Sequence, residues 1–492
     1  MSARLSSLAG RIAGATLERG DAALMDATHD SRSVRPGALF CAVPGRTADG
    51  HDHAADAVEA GASALLVERP LDLPVPQLVV PSVRRAMGPV AAGIHGDPAA
   101  ELQMLGVTGT NGKTTVTFLL EAAMAAAGWG SGRIGTLGAR LHGRSETGAR
   151  TTPEATDLQR TLRSMRVRGA DGVAMEVSSH GLDLHRVDGI VFDVAAFANL
   201  SQDHLDWHGT MDRYRAAKAR LFEPDLARHA VVLVDAPGAR EMLELVRIPV
   251  TTVGCDGGAD VVVLHREVGP SGSTVHLDLD GATVRASTVM RGTHNLDNLI
   301  VALVTAVRAG IDAHVAAAAL ADVPAPAGRL EPFGGEANPL VLVDYAHTPD
   351  AVAGAVVVGR GLVPAGARLH VVLGAGGDRD RDKRAPMGAA AAAADVVVVT
   401  DDNPRSEDPA AIRRAVLAGA SEGPARAVEV AGRAEAIRQV VHDAEPGDVV
   451  LVLGRGHETH QEVRGERLPL DDRALVRDAL RSRPTVVDGA GR

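Results

Sequence analysis

Cysteine, aromatic residues and long apolar runs are all scarce in this chain of 492 residues. Its two cysteines, Cys41 and Cys255, are too few for a disulfide framework or a zinc site, and we expect both to be buried small residues. Apolar runs such as 299–307 and 389–399 fall short of the roughly 20 residues of a membrane span. Charges interrupt the amino-terminal segment, which therefore lacks the core of a signal peptide. We expect a cytoplasmic protein that does not use a membrane.

Basic residues are outnumbered by acidic ones, which gives a formal net charge of -11. A nucleic-acid-binding protein favours a basic surface, so we expect no nucleic-acid partner. A chain of this length is too long for one hydrophobic core and indicates roughly three domains. Any anionic substrate would need local clusters of arginine.

Three α/β units are predicted along the chain. Short apolar runs at 38–43, 64–67 and 77–80 alternate with alanine-rich helical segments and indicate a small domain at residues 1–101. A strand at residue 102 begins a larger domain, residues 102–325, which ends at the proline-rich linker 323–332. In residues 326–492 five apolar strands alternate with helices, which predicts a parallel, doubly wound sheet with ligands beyond its strand ends.

The segment GVTGTNGKTT, residues 106–115, follows a strand and opens a helix, as a phosphate-binding loop does. Lys113 is placed to reach the β and γ phosphates of ATP, and Thr114 to bind Mg²⁺. The common P-loop pattern has glycine six residues before the lysine, where this chain has Val107. ATP is the predicted ligand, and the loop is a variant of that pattern.

TGTNGKTT resembles the loop of the Mur ligase family, and the resemblance runs nearly end to end. DSRSVRPGALFCAVPG and the following DGH, within residues 30–51, are similar to its uridine-nucleotide segment. The resemblance implies an amino-terminal domain that binds the UDP-linked substrate, a central P-loop-type ATP-binding domain and a Rossmann-like carboxyl-terminal domain that binds an amino acid. It also implies a monomer with small-molecule substrates. The contacts implied in the first domain are Ser31, Arg46, Thr47 and Ala48.

MEVSSHGL (175–182) and FANLSQDHLDWHGTMDRYRAAKARLF (197–222) combine carboxylates, histidines and one lysine. By resemblance, Lys113, His204 and Lys218 are catalytic, and Lys218 is carbamylated, which turns a cation into an anionic oxygen ligand. The implied magnesium ligands are Thr114, Glu176, His204 and carbamylated Lys218. The implied contacts with the UDP-linked peptide are Thr151, Thr152, Ser178 and Arg186.

The resemblance also assigns the ATP contacts. RGTHNLDN contributes to the base region, GRLE supplies an arginine between domains, and DYAHTPDA ends a strand where ribose or phosphate contacts belong. Residues 348–350 could equally be a simple helix cap. The implied ATP-binding residues are Gly109, Thr110, Asn111, Gly112, Lys113, Thr114, Thr115, Asn295, Asn298, Arg329 and Asp344.

TDDNPRSEDP, residues 400–409, follows a strand and matches the branch of the family that adds diaminopimelate. The fork of Arg405 suits the distal carboxylate of that amino acid, which lysine lacks, and Glu458 suits its distal ammonium. Arg455 stands where the family usually has lysine. The implied pocket comprises Arg379, Asp402, Asn403, Pro404, Arg405, Gly454 and Glu458.

We therefore expect an ATP-dependent amide ligase that joins diaminopimelate, expected as the meso isomer, to the D-glutamate of UDP-N-acetylmuramoyl-L-alanyl-D-glutamate through an acyl phosphate. A lysine-adding ligase is disfavoured by Arg405, and folylpolyglutamate synthase by the first-domain segment. A P-loop nucleotide switch, which belongs to another class, would leave Lys218, Arg379 and Arg405 unexplained.

Overall fold

The computed structural model describes residues 2–45, 48–146, 148, 150–378 and 380–483, and three separate sheets organise them. The first sheet belongs to the amino-terminal part of the chain. Its strands and a small two-stranded sheet are β1 (Ala3–Arg4), β2 (Thr16–Glu18), β3 (Ala23–Leu24), β4 (Asp26–Thr28), β5 (Ala38–Cys41), β6 (Ala64–Val67) and β7 (Gln77–Val79). The helices are α1 (Leu5–Ala9), α2 (Ala54–Glu59) and α3 (Val83–Ile94), with 3₁₀ turns at Ser31–Ser33, Gly50–His53 and Pro98–Glu101.

The strand order in this first sheet is β2-β7-β6-β5-β4, with β4 to β7 parallel and β2 antiparallel at the edge. The three apolar runs predicted as strands are β5, β6 and β7, so those predictions are confirmed. β5 and β6 are buried throughout because helices cover both faces of a parallel sheet.

The central sheet is the largest. Its strands are β8 (Gln103–Thr108), β9 (Ser131–Gly135), β10 (Gly138–Leu141), β11 (Arg144–Glu146), β12 (Gly172–Glu176), β13 (Val194–Phe197), β14 (Ala230–Leu233), β15 (Val250–Gly254), β16 (Val261–Gly269), β17 (Gly272–Leu279) and β18 (Ala282–Thr288). The helices are α4 (Lys113–Ala126), α5 (Ala155–Val167), α6 (Ser179–Asp183), α7 (Leu205–His208), α8 (Met211–Ala219), α9 (Ala239–Leu243), α10 (Thr293–Arg308) and α11 (Ala313–Leu320), with a 3₁₀ turn at Arg220–Phe222.

The order of this sheet is β11-β10-β9-β12-β8-β13-β14-β15-β16-β17-β18. Strands β12, β8 and β13 are adjacent and parallel, and Val107 lies in register with Glu176 on one side and Ala196 on the other. Their carboxyl ends therefore meet at one edge, where ligands bind in doubly wound sheets. The phosphate-loop segment, Glu176 and the start of the 198–204 segment all lie at this edge.

The third sheet has the order β19-β20-β24-β21-β22-β23, and all but the edge strand β19 are parallel. The five apolar runs predicted as strands here are all present and form the predicted parallel sheet. The strands are β19 (Glu331–Gly334), β20 (Leu340–Asp344), β21 (Leu369–Leu373), β22 (Val396–Val399), β23 (Arg426–Glu429) and β24 (Val449–Leu453), followed by a hairpin of β25 (His460–Val463) and β26 (Glu466–Pro469). The helices are α12 (Pro349–Leu362), α13 (Arg384–Ala391), α14 (Pro409–Ala420), α15 (Arg433–Asp443) and α16 (Asp472–Arg481).

The structure differs from the sequence expectations at Cys255 and at the end of the linker. Cys41 is buried as predicted, but Cys255 is exposed, because it lies in the turn directly after β15, where Asp235 accepts its backbone N–H. The predicted linker also ends earlier than expected, since Glu331 and Pro332 belong to β19, an edge strand that tolerates proline.

The domain boundaries after residues 101 and 325 stay predictions. Among the described residues, no helix has both the length and the apolarity that crossing a membrane requires.

Candidate active site

The phosphate-loop segment turns between β8 and α4 with a left-handed glycine at its end. Gly112 has φ of 86° at the amino-terminal cap of α4, a conformation that favours glycine. The Lys113 ammonium donates to the carbonyl oxygens of Gly109 at 2.8 Å and Thr110 at 2.9 Å. Burial lowers the pKa of Lys113, although the nearby Glu176 carboxylate opposes that shift. Lys113 therefore donates to backbone carbonyls of its own loop. The anionic oxygens of a bound phosphate would be stronger acceptors than these carbonyls.

The segment after β13 fixes the other side of the loop. Asn199 Oδ1 accepts the N–H of Asn111 at 2.9 Å, and its Nδ2 donates to the Asn111 carbonyl at 3.2 Å. Thr110 Oγ1 donates to the Ser201 carbonyl at 3.1 Å and lies 3.0 Å from the Tyr214 hydroxyl. Sequence reasoning missed Asn199 and Tyr214, which hold the loop in shape before any ligand arrives.

Lys218 projects from α8 to the same loop and is only 1 % exposed. Its ammonium donates to Gly109 O at 2.8 Å and lies 4.5 Å from the centre of the Tyr214 ring. Burial, reinforced by the charge of Lys113, lowers the pKa of Lys218 well below its ordinary value. This shift makes the neutral amine, which is a nucleophile, easier to form at Lys218 than at an ordinary lysine.

Glu176 is a fully buried carboxylate at the end of β12. Its Oε1 accepts the N–H of Thr136 at 2.9 Å and its Oε2 the Thr136 hydroxyl at 3.0 Å. Thr136 follows β9, so a neighbouring parallel strand end orients the carboxylate. These bonds leave lone pairs on both oxygens for a cation.

His204 is the amino-terminal cap of α7, with φ of 54°, and carries a ring whose pKa burial lowers to about 3. Its Nε2 lies 3.4 Å from Asp203 Oδ2, and its ring packs 4.7 Å from that of His180. A neutral imidazole can act as a metal ligand. Asp203, another residue missed from sequence, is buried and also lies 3.9 Å from His347 Nε2 in the third unit.

A divalent cation fits this cluster only under one chemical condition. Within the described ranges, no group of three or more histidine, cysteine or acidic side chains is arranged to hold a metal. Glu176, His204 and Thr114 can offer donor atoms, but Lys218 repels a cation as an ammonium and offers only nitrogen, a poor ligand for Mg²⁺, as a neutral amine. As a carbamate it would supply anionic oxygen, the ligand that Mg²⁺ prefers.

The predicted peptide contacts gather beside Glu176. Thr152 Oγ1 donates to the Glu176 backbone carbonyl at 3.0 Å and lies 3.0 Å from Ser178 Oγ. Arg186 donates to the Thr152 carbonyl at 3.2 Å, and Thr151 Oγ1 lies 3.1 Å from Thr136 Oγ1. The structure thus brings all four predicted residues together.

A buried carboxylate that sequence reasoning missed ties this group to the first unit. Glu154 Oε1 lies 2.9 Å from Arg186 Nη2, and its Oε2 lies 2.6 Å from Arg84 Nη1 on α3. Although burial opposes ionisation, these arginines lower the pKa of Glu154. The nearest sequence signal was its position two residues after the Thr151–Thr152 pair.

A cleft of about 970 Å³ lies between the first unit and α5. Ser31, predicted to contact the uridine nucleotide, lines it together with arginines that suit phosphate groups. Ala48 is exposed and its carbonyl accepts the Gly45 N–H at 2.9 Å, whereas Arg46 and Thr47 lie outside the described residues. The basic side chains of the cleft are His29, Arg32, Arg35, His53, Arg150 and Arg160.

The amino-terminal half of α10 packs directly on the phosphate loop. A methyl group built on Gly112 would overlap Asn298 Oδ1. Asn298 Nδ2 donates to Asn295 Oδ1 at 3.1 Å, and Asn295 Nδ2 donates to the Arg291 carbonyl at 2.8 Å. Both predicted asparagines are thus buried beside the loop.

Arg329 links the third unit to the loop. Its Nη2 lies 3.3 Å from Thr114 Oγ1, and its guanidinium stacks 4.6 Å from the centre of the Tyr345 ring. Asp344, at the end of β20, accepts the N–H groups of Leu330 at 2.7 Å and Ala346 at 2.8 Å. Asp344 therefore fixes the segment that carries Arg329. Thr348 caps α12 through the N–H of Ala351, so the capping interpretation also holds.

The predicted amino-acid loop follows β22 and faces the end of β24. Asn403 Nδ2 donates to Glu458 Oε2 at 2.8 Å. Gly454 has φ of 112°, and a methyl group there would lie 2.7 Å from Asp402 Oδ2. The Pro404 carbonyl accepts the N–H of Glu407 at 3.1 Å. Arg379 lies outside the described residues.

Two charged side chains, Arg405 and Glu458, lie at this predicted amino-acid site. Arg405 has φ of 51°, and its Nη1 donates to the Gly377 carbonyl at 2.7 Å. Burial and the charge of Asp402 raise the pKa of Glu458. The positive charge of Arg405 opposes that shift, so the guanidinium and the carboxyl group lie close enough to interact.

Arg455 is fully buried beneath this loop. Its Nη1 donates to Asn403 Oδ1 at 3.0 Å, and its Nη2 donates to the His460 carbonyl at 2.7 Å. It also lies 3.5 Å from Glu458 Oε2. Sequence comparison with the family treated this residue only as a replacement for lysine, and its role in fixing Asn403 required the structure.

These units define an α/β protein in which a phosphate-loop variant faces a buried lysine and carboxylate cluster. Family models match it in three consecutive parts: "Mur ligase family, catalytic domain" over residues 27–95, "Mur ligase middle domain" over 107–306 and "Mur ligase, glutamate ligase domain" over 328–456. The chain belongs to the Mur ligase family and is an enzyme of the ligase class.

Curated relatives and a solved structure are similar over nearly the whole chain. The UDP-N-acetylmuramoyl-L-alanyl-D-glutamate–2,6-diaminopimelate ligase of Geobacillus thermodenitrificans is 43% identical over 98% of this chain and 100% of its own length. The ligase of the same name from Streptomyces avermitilis is 44% identical over 97% and 96%. A solved structure of a ligase with this name is 32% identical, with a TM-score of 0.70 over 98% of this chain and 99% of its own.

Proposed function

We propose that this ligase uses ATP to join diaminopimelate to the D-glutamate side chain of UDP-N-acetylmuramoyl-L-alanyl-D-glutamate, in the synthesis of peptidoglycan precursors. The observation that carries the amino-acid assignment is that Arg405 lies close enough to Glu458 for its charge to act on that carboxyl group, which Asn403 of the same loop hydrogen-bonds. A guanidinium and a carboxylate suit the two charges at the distal end of diaminopimelate. The names of relatives that are 43% and 44% identical support the same substrates.

The reaction has two steps, phosphoryl transfer and amide formation. A carboxylate oxygen of the D-glutamate side chain attacks the γ-phosphorus of ATP, an O–P bond forms, and the bond to the β-phosphate oxygen breaks to release ADP. The neutral amine of the amino acid then attacks the acyl carbon. The C–N bond forms, inorganic phosphate leaves with the electrons of the C–O bond, and the nitrogen passes one of its protons to water.

The chain's own residues prepare the first step. Lys113 exchanges its bonds to its own loop for the phosphates, and the N–H groups around Gly112 cradle them at the start of α4. Arg329 brings a second cation to the same loop from the third unit. We assign Gly109, Thr110, Asn111, Thr115, Asn295, Asn298 and Asp344 to the ATP site as well.

We further propose that Lys218 is carbamylated. Its neutral amine attacks the carbon of CO₂, a C–N bond forms, one C=O bond becomes an anionic oxygen, and the nitrogen loses a proton. The carbamate N–H can still donate to Gly109 O. Thr114, Glu176, His204 and the carbamate would then hold Mg²⁺, which supplies charge neutralisation when two anions approach.

The other predicted residues are assigned to the UDP moiety, the peptide and the amino acid. Residues 1–101 would bind the UDP moiety in the arginine-lined cleft, with Ser31, Arg46, Thr47 and Ala48 as contacts. Thr151, Thr152, Ser178 and Arg186 would contact the peptide, residues 102–325 would carry ATP, and residues 326–492 would carry the amino acid. Its pocket would comprise Arg379, Asp402, Asn403, Pro404, Arg405, Gly454 and Glu458.

We propose a cytoplasmic monomer without nucleic-acid or membrane partners.

Phosphate release by the purified protein tests the function directly. ATP, Mg²⁺ and the UDP-linked dipeptide are supplied with meso-diaminopimelate, its LL isomer or L-lysine, and the product mass is measured. We expect tripeptide formation that depends on diaminopimelate, with the meso isomer preferred. Preference for lysine would refute the role of Arg405, and hydrolysis indifferent to every amino acid would favour a nucleotide switch.

A further inference from the structure

Arg405 already has a carboxylate partner within the protein. Glu462 Oε2 lies 3.3 Å from Arg405 Nε. The backbone fixes this approach, because the Arg405 N–H donates to the Glu462 carbonyl at 3.0 Å and the Glu462 N–H donates to Asn403 Oδ1 at 2.8 Å. β25 is thus joined to the amino-acid loop, and the position of the Glu462 side chain follows from that pairing.

The other acidic groups near Arg405 have different hydrogen-bond partners. Asp378 accepts both the N–H and the hydroxyl of Ser406, at 2.9 Å and 2.6 Å. Glu458 accepts from Asn403 and lies next to Arg455. Among the described residues, Glu462 is the carboxylate that forms an ion pair with the Arg405 guanidinium.

This ion pair is weak enough to be exchanged. The Glu462 side chain is 47% exposed and that of Arg405 17%, and pairs open to water contribute little stability. A guanidinium carries five N–H donors, of which the contacts with Gly377 and Glu462 engage only part. A substrate carboxylate can therefore displace Glu462 or share Arg405 with it.

We propose that Glu462 is the resident counterion of Arg405 and sets the selectivity of the amino-acid site. It competes with the distal carboxylate of the incoming amino acid. It also satisfies Arg405 when an analogue without that carboxylate binds, which reduces the cost that such an analogue would otherwise incur. This inference rests on the proposed role of Arg405 in binding diaminopimelate.

The test compares Glu462→Gln with Glu466→Gln, a change at an exposed position on the other strand of the same hairpin. Glutamine keeps the size of the side chain but removes the competing charge. We expect the KM for diaminopimelate to fall about two- to fivefold, the range that exposed ion pairs span. The KM for lysine should rise, so that the ratio of kcat/KM values shifts further towards diaminopimelate. Glu466→Gln should behave as the unmodified protein.

Two results overturn the inference and can be told apart from failure of the proposed function. An increased KM for diaminopimelate in Glu462→Gln would mean that Glu462 contacts the substrate ammonium instead. Equal selectivity in both variants would mean that the ion pair has no role in recognition. An unmodified protein that forms no tripeptide from diaminopimelate would refute the proposed function, and the inference with it. Melting temperatures of both variants establish that each is folded.

Discussion

Lys113 and Lys218 donate to the same carbonyl oxygen, that of Gly109, each at 2.8 Å. Two ammonium groups on one acceptor repel each other, and the charge of Lys113 contributes to the lowered pKa of Lys218. The arrangement becomes electrostatically favourable when Lys218 turns into an anion. If Lys218 is carbamylated as proposed, the lysine pair would supply one cation for phosphate and one anionic oxygen ligand.

Replacing Lys218 by methionine should abolish activity without unfolding the protein. Methionine fills similar space and removes a buried charge, a change that is often neutral or stabilising. We expect kcat to fall at least about 100-fold, because an electrostatic contribution to the transition state is lost. Steady-state kinetics and thermal unfolding measure the two effects.

The dependence of activity on dissolved CO₂ is the control for the Lys218→Met variant. The unmodified protein should lose activity when dissolved CO₂ is removed and regain it when bicarbonate is returned, whereas Lys218→Met should not respond. A carbamate signal after labelling with ¹³C-bicarbonate should be present in the first and absent in the second. Full activity of Lys218→Met would rule out the carbamate.

A glycine pair tests how closely the phosphate loop depends on α10. Gly112 and Gly128 have φ of 86° and 81°, so alanine at either position should cost about 1 kcal/mol of backbone strain. Only at Gly112 does the added methyl group meet Asn298; a methyl group built on Gly128 would have no heavy atom of the described residues within 4 Å apart from the adjoining chain. We expect Gly112→Ala to raise the KM for ATP at least about tenfold, the cost of one lost hydrogen bond.

Gly128→Ala should keep the KM for ATP within about twofold while losing similar stability, because the strain alone is shared. Chemical denaturation and ATP titration of both variants separate the two contributions. If the variants weaken ATP binding equally, the contact with Asn298 is not what shapes the site.

The phosphate loop and the parallel sheets could be predicted because their signals are local. A strand, a glycine turn and a helix start are contiguous in residues 103–126, and each apolar run of the third unit is one strand. Those signals fix where each strand ends, whereas the order of the strands comes from the structure. Lys113 and Glu176 therefore fall at one edge once the order β12-β8-β13 is known.

The rest of the site depends on contacts that a single segment does not encode. Glu154 takes one arginine from α3 and one from the segment after α6, and Arg455 bonds an asparagine 52 positions away. Cys255 was predicted to be buried because cysteine usually is, and a turn after β15 exposed it. Side-chain pairing across units follows from packing, which residue type alone does not specify.

Arg405→Ala should impair the use of diaminopimelate far more than the use of ATP. Removing the guanidinium eliminates a charge-assisted pair with the distal carboxylate, so we expect the KM for diaminopimelate to rise about 10- to 100-fold. The KM for ATP should stay within about twofold, because Arg405 follows β22 in the third unit, whereas Lys113 and Arg329 lie at the phosphate loop. Equal loss of both would contradict the assignment of Arg405.

An ion pair between the first unit and α5 should make stability depend on pH. Arg160 Nε lies 3.0 Å from Asp26 Oδ1, and His95 Nε2 lies 3.3 Å from it. Burial raises the pKa of Asp26, but these partners outweigh burial and hold the pKa at about 2. A carboxyl group whose folded pKa is lowered stabilises the protein above its unfolded pKa of about 3.9, and that contribution is lost as the pH falls towards 2.

Asp26→Asn should therefore lower the melting temperature at pH 7, and the deficit relative to the unmodified protein should shrink as the pH falls from 5 towards the acid limit of folding. Asp72→Asn is the control, because Asp72 pairs with Arg19 at 2.9 Å but its side chain is 99% exposed. Water screens that pair, so its loss should leave the melting temperature nearly unchanged at every pH. A deficit for Asp26→Asn that does not vary with pH would mean that the carboxylate acts through shape and hydrogen bonding, with no contribution from its charge.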